Sequence, residues 1–255
     1  MSSSLAGAVT LEGRLSLPGA TVVPYLTGGF PTMAVFQDAL KALAAVSVAV
    51  EIGIPFSDPM ADGATIQESS RVALEGGASL GGILTAVEGL GPLGADLVVM
   101  SYLNPFLAFG LDVLMARLAS AGVAALVVPD LPLEESSELA AAARDCGIGL
   151  VQLVSPVTSR ERLALLGEVS EGFTYAVTMT GTTGGSIETG DDVTVYLDAV
   201  RAASRPPVLA GFGVRTASQV HSLAPHCDGV IVGSALVEVL ARGDDPVAFI
   251  EGLGR

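Results

Sequence analysis

The sequence runs to 255 residues, half of them hydrophobic, with 5% aromatics and no tryptophan. Its formal net charge of −15 argues against nucleic acid and anionic membrane surfaces as partners, since both need a basic footprint. The two cysteines, Cys146 and Cys227, have no paired spacing, which argues against a disulfide framework or a zinc site. No run approaches the ~18 apolar residues of a membrane span, so a soluble cytoplasmic protein is expected.

Residues 1–19 lack the basic start and apolar run of a signal peptide. They are rich in Ser, Ala and Gly, with hints of order only over 11–17, and predict a weak N-terminal cap. Short β-branched runs then alternate with stretches of helical period. Strands are predicted at 21–26, 47–52, 96–102, 124–128, 149–154, 173–178, 207–210 and 229–232. Helices are predicted near 32–45, 65–77, 80–90, 111–121, 134–146, 159–169, 192–203, 215–223, 234–242 and 246–253. Thr32, Glu134 with Glu135, Ser159 and Thr216 supply helix-start signals.

Eight strands alternating with helices form the pattern of a (β/α)₈ TIM barrel, here one domain over 1–255. A core of Val, Leu, Ile and Ala suits parallel strands buried on both faces. The competitor is an open doubly wound sheet, which usually has fewer strands and a glycine-rich loop after the first. Gly28 and Gly29 follow the first strand, but without G-x-G-x-x-G spacing.

Barrel enzymes build their sites at the C-terminal ends of the strands. The unexpected residues all fall there: Glu51 at the end of the second strand, Tyr102 and Asn104 at the end of the third, Asp130 after the fourth and Ser155 after the fifth. Tyr175 lies within the sixth strand, followed by a Gly/Thr loop. Gly211-Phe212-Gly213 follows the seventh and Gly233-Ser234 the eighth.

Glu51 stands out most, because it interrupts an apolar run where an ionised carboxylate is disfavoured. Burial raises a carboxyl pKa, and a glutamate tuned toward neutrality can act as both acid and base. The alternative is a structural glutamate paired with an arginine that the fold brings near. Asp58 and Asp62 lie in the turn-rich loop that follows, where Asx-turn and capping roles compete with chemistry. Tyr175 and Phe212 are of a type more often found as core aromatics, and Asp130, between two prolines, fits a loop-shaping role. Gly213, Gly233 and Ser234 fit a phosphate site, where glycine backbone and a helix start meet an anion, or ordinary tight turns.

Exclusions narrow the chemistry. Lys41, the only lysine, falls on a predicted outer helix, which argues against Schiff-base chemistry. His221 and His226 lie away from the rim, which argues against zinc-assisted and Cys-His catalysis. Metal-free acid/base work by carboxylates on a phosphorylated substrate remains.

The segment from Glu51 to Gln67, Glu-Ile-Gly-Ile-Pro-Phe-Ser-Asp-Pro-Met-Ala-Asp-Gly-Ala-Thr-Ile-Gln, resembles the signature of the tryptophan synthase α subunit family. The likeness runs nearly the whole chain. It includes Pro24-Tyr25-Leu26-Thr27-Gly28-Gly29, Met100-Ser101-Tyr102-Leu103-Asn104-Pro105, Pro129-Asp130-Leu131-Pro132, Thr180-Gly181-Thr182-Thr183-Gly184, Gly211-Phe212-Gly213 and Gly233-Ser234-Ala235.

The resemblance implies retro-aldol cleavage of indole-3-glycerol phosphate to indole and glyceraldehyde 3-phosphate. It implies Glu51 as acid/base and Asp62 as the anion that accepts from the indole N–H. Tyr175 would support Glu51, and Tyr25, Tyr102 and Phe212 would wall the indole. Thr183 and Gly184 in the lid loop, with Gly213, Gly233 and Ser234, would hold substrate and phosphate. Loops 53–62 and 179–190 would close over the site. The first, with Pro55 and Asp58, would face a β subunit in an αββα assembly. No cofactor is implied on this chain; pyridoxal phosphate would belong to the β subunit. A free-standing lyase feeding another pathway and a catalytically weak activator of a β subunit are the other readings. The family's usual Gly-Pro-Thr-Ile-Gln appears here as Gly63-Ala64-Thr65-Ile66-Gln67. Loss of that proline leaves the loop backbone less restrained.

Overall fold

A computed structural model describes residues 6–17, 21–178, 191–211 and 213–254. Helix α1 (Ala6–Leu15) precedes β1 (Thr21–Thr27), followed by α2 (Met33–Ala44), β2 (Ala49–Gly53), α3 (Ala64–Glu75) and α4 (Leu80–Glu88). Next come β3 (Asp96–Met100), α5 (Leu103–Phe109), α6 (Leu111–Ser120), β4 (Val123–Val127), α7 (Ser137–Asp145) and β5 (Gly149–Val154). The chain continues through α8 (Arg160–Val169), β6 (Thr174–Val177), α9 (Asp191–Ala203), β7 (Val208–Gly211), α10 (Ala217–Leu223), β8 (Gly229–Val232), α11 (Ser234–Arg242) and α12 (Pro246–Leu253). The eight strands are parallel, pair in sequence order, and close by pairing β1 with β8. The alternating pattern therefore resolves as the (β/α)₈ barrel and not as an open sheet.

The helix starts follow local chemistry. Thr32 accepts from Val35 N–H and Ser159 from Arg162 N–H, while Thr216 and Gln219 form a full capping box. The Glu134-Glu135 start signal behaves differently. Leu133–Glu135 forms a single 3₁₀ turn, and the α-helix begins only at Ser137. The third strand also ends earlier than the apolar run predicts. Met100 is its last residue, and Asn104 lies in a short helix, α5.

The N-terminal cap is built into the barrel floor. Leu11 and Leu15 on α1 are fully buried. Glu12 accepts from Gly172 N–H at 3.1 Å, and Arg14 donates to the Gly94 carbonyl at 2.7 Å. Gly172 and Gly94 lie just before β6 and β3, so α1 closes the N-terminal end of the barrel. A Cβ at Gly172 would lie 3.2 Å from Leu11, tight against the cap. No single helix among the described residues is long and apolar enough to cross a membrane. Only α5 and α6 together reach that length, and they meet at a bend of 99°.

Candidate active site

Tyr25, Glu51, Met100, Tyr175 and Ile231 come from five different strands, yet all line one cavity of about 410 Å³. Side chains from β1, β2, β3, β6 and β8 can meet only inside the barrel. Asp62, Ile66, Gly213, Gly233 and Ser234 complete the lining from the loops and helix starts after β2, β7 and β8.

Glu51 is the third of five residues in β2, beside Tyr25 on β1 and Val98 on β3. It is fully buried, and neither carboxyl oxygen has a hydrogen-bond partner. No arginine among the described residues pairs with it, which argues against the structural ion-pair reading. Burial pushes its carboxyl up to about 8, and the negative charge of Asp62 adds to the rise. Burial also raises Asp62, but a hydrogen bond from Tyr102 pulls it back. Asp62 therefore ionises first, and Glu51 keeps its proton at neutral pH. Two carboxyls with divided protonation suit a site that needs an acid and an anion together.

The tyrosines organise around this pair. The chain has four, and three of them meet at this site. Tyr25 and Tyr175 are buried and line the cavity. Burial is the main cause that keeps both hydroxyls protonated, and the nearby acidic groups add to it. Their rings occupy space that two glycines leave open. A Cβ on Gly53 would lie 2.0 Å from the Tyr25 hydroxyl, and one on Gly211 would lie 2.3 Å from the Tyr175 ring. Any larger residue at either position must displace a tyrosine.

Tyr102 lies just outside the cavity lining. Burial pushes its phenol up to about 12, so it remains a donor near neutrality. Its hydroxyl accepts from Ala61 N–H at 2.8 Å and hydrogen-bonds the Asp62 carboxylate. Its ring packs on Phe56 with centroids 5.3 Å apart. Asp130 takes the loop-shaping role, with its carboxylate accepting from Leu103 N–H at 2.9 Å.

Across the cavity, Gly213 adopts φ +86°, a left-handed conformation that glycine takes without strain. Helix α11 begins behind Gly233, with no side chain capping its first N–H groups. That leaves backbone donors and the positive end of a helix dipole at the cavity edge.

A family model described as tryptophan synthase alpha chain matches residues 16–249. The chain belongs to the tryptophan synthase alpha chain family. It is 41% identical over 221 residues to the tryptophan synthase alpha chain of Bacillus cereus strain AH820, covering 86% of this chain and 85% of that one. It is 41% identical over 225 residues to that of a Picosynechococcus strain, covering 87% and 85%. Among solved structures, tryptophan synthase from M. tuberculosis in its open form superposes with a TM-score of 0.87 at 34% identity, covering 99% of this chain and 98% of that one. A chain of the tryptophan synthase a2b2 complex from Pyrococcus furiosus gives 0.84 at 36% identity, covering 91% and 97%.

Within this alpha-chain fold, the expected site residues divide into three groups. Tyr25, Glu51, Asp62, Tyr175, Gly213, Gly233 and Ser234 gather around one cavity, and Tyr102 touches Asp62. Thr183, Gly184 and Phe212 lie outside the described residues, as does the lid loop 179–190. The two interface residues separate. Pro55 is buried within the chain, whereas Asp58 is exposed and contacts Ser57.

Ile66, Met100 and Ile231 line the cavity without having been singled out. For Met100 on β3 and Ile231 on β8 the signal is the two-residue period along each strand, whereas Ile66 lies on α3. In strands apolar on both faces that period gives no contrast. Gly53 was silent and Gly211 was marked only as part of a Gly-x-Gly turn, because a steric role toward a distant tyrosine leaves no local pattern.

Proposed function

We propose that this chain is the α subunit of a tryptophan synthase and acts as a carbon–carbon lyase on indole-3-glycerol phosphate. One observation carries the reading: Glu51 is fully buried, unpartnered and held near neutrality beside a more acidic Asp62. A group in that state has little structural use, but it can deliver a proton to a molecule bound in the cavity.

Protonated Glu51 donates to C3 of the indole ring, and the ring becomes a cationic indolenine. Ionised Asp62 accepts a hydrogen bond from the ring N–H and offsets the positive charge. Glu51, now a carboxylate, takes the proton of the glycerol hydroxyl next to the ring. The bond between C3 and that carbon breaks, and its electrons restore the aromatic ring. Indole and glyceraldehyde 3-phosphate leave, and Glu51 has regained its proton. Each positioned acid or base contributes about 10²–10⁴ in rate.

The phosphate, in this reading, sits on the backbone of Gly213, Gly233 and Ser234, where donors without formal charge suit a chain so acidic. Tyr25 and Tyr175 flank the indole. The chemistry needs no cofactor on this chain, and pyridoxal phosphate belongs to the β subunit. Lys41 is exposed on α2, far from the role of an active-site amine. An exposed rim supports a docked β subunit: Met60 is 74% exposed on the loop after β2, and Leu107 is 53% exposed on α5. The chain is then one barrel domain working within an αββα assembly.

The test is indole release from indole-3-glycerol phosphate by the purified chain with its β subunit. Indole formed together with one equivalent of glyceraldehyde 3-phosphate is the expected result. No cleavage under those conditions would end this reading.

A further inference from the structure

The loop that carries Asp62 has little restraint of its own. Helix α3 starts directly after it, behind Gly63, which has no side chain to cap the helix. What fixes Asp62 comes from elsewhere. Gln67 Nε2 donates to its backbone carbonyl at 2.8 Å, which holds the main chain but not the carboxylate. The side chain is held by Tyr102, whose hydroxyl also accepts from Ala61 N–H at 2.8 Å. One phenol thus clamps both the backbone before Asp62 and its carboxylate.

Tyr102 is itself fixed from a third loop. It is the N-cap residue of α5 and makes no side-chain cap. The carboxylate of Asp130, from the loop after β4, takes that place by accepting from Leu103 N–H at 2.9 Å. The Phe56 ring, packed 5.3 Å from the Tyr102 ring, closes the other side. Three consecutive loops of the barrel are linked in series, ending on Asp62.

We propose that Tyr102 is a positioning residue that sets the orientation and ionisation of Asp62, with Asp130 holding Tyr102 in place. This rests on the lyase reading above. The titratable groups electrostatically coupled to Asp62 are Glu51 on β2, Tyr25 on β1, Tyr175 on β6 and Tyr102 itself. None of these is a cation, so the Tyr102 hydroxyl is the group that favours the ionised carboxylate. Without it, Asp62 holds its proton to higher pH.

Tyr102→Phe tests this, since it removes the hydroxyl and leaves the ring against Phe56. A hydrogen bond to a charged group is worth about tenfold or more in an equilibrium. The expected result is a kcat lower by about that factor, with KM changed less than about threefold. The acid limb of the pH profile should move to higher pH, and the limb set by Glu51 should stay. Asp130→Ala should move the acid limb the same way by less, and Asp130→Asn, which retains an acceptor oxygen, should restore it. Carbon-13 titration of the Asp62 carboxyl, read in the full chain without substrate, should rise in Tyr102→Phe. An unchanged Asp62 titration overturns the proposal whether or not the chain turns over substrate. A raised titration in a chain without lyase activity overturns only the functional reading.

Discussion

Glu51 holds an ionisable group that is fully buried and has no hydrogen-bond partner among the described residues. Its carboxyl sits at about 8 in the folded chain against an ordinary 4.5. The folded state therefore binds the proton more tightly than the unfolded state between those two values, and stability must fall as pH rises through that window. At pH 7 the loss from this one residue is roughly 3 kcal/mol. The raised carboxyl of Asp62 acts in the same direction. Glu51→Gln, which cannot ionise, should flatten the decline in urea-unfolding stability from pH 5 to 8. An unchanged slope would mean that Glu51 is not held neutral. The same residue sets the upper limit of activity. In the proposed mechanism turnover requires protonated Glu51 with ionised Asp62, so kcat/KM should fall above about pH 8.

At the scale of elements, strands, caps and turns follow from local chemistry, and what the sequence hides comes from distant contacts. The β5 and β8 bounds match the apolar runs at 149–154 and 229–232, because Gly-bounded β-branched segments have clear edges. Thr32, Ser159 and Thr216 cap the helices they precede. By contrast, α5 was concealed, since its seven residues include Pro105 and are capped by Asp130 from another loop. The role of α1 was also faint. Its fixed position depends on Gly172 and Gly94, remote in sequence, and on an apolar barrel floor. Leu11→Ala should accordingly cost about 2–5 kcal/mol in chemical denaturation, the range for a buried leucine. A cost below about 0.5 kcal/mol would show that α1 frays from the floor. The active-site glutamate was legible for the opposite reason: one carboxylate in an apolar strand is visible without any tertiary context. Tyr102 was legible as a rim aromatic, but its grip on Asp62 was not, because that contact spans two loops.

For the whole molecule, a net charge of −15 makes local backbone donors the suited means of anion recognition, and the proposed ones are at Gly213, Gly233 and Ser234. Glycerol phosphate should compete with substrate, and raising ionic strength should alter its inhibition constant only modestly, since few formal charges are involved. Failure to compete would remove the phosphate from this rim. In the proposed assembly a β subunit contacts the loop that carries Asp62, on which Met60 is exposed. Adding it should raise the rate of indole release, and high activity that the β subunit leaves unchanged would favour a free-standing lyase. The central claim, however, is that one buried carboxyl moves the proton. The direct test is indole release by the chain and by Glu51→Gln, both with the β subunit, at saturating indole-3-glycerol phosphate. A kcat at least ~10²-fold lower in the variant, with glycerol phosphate binding retained, is the predicted result; turnover within a few-fold of the unaltered chain would contradict the account.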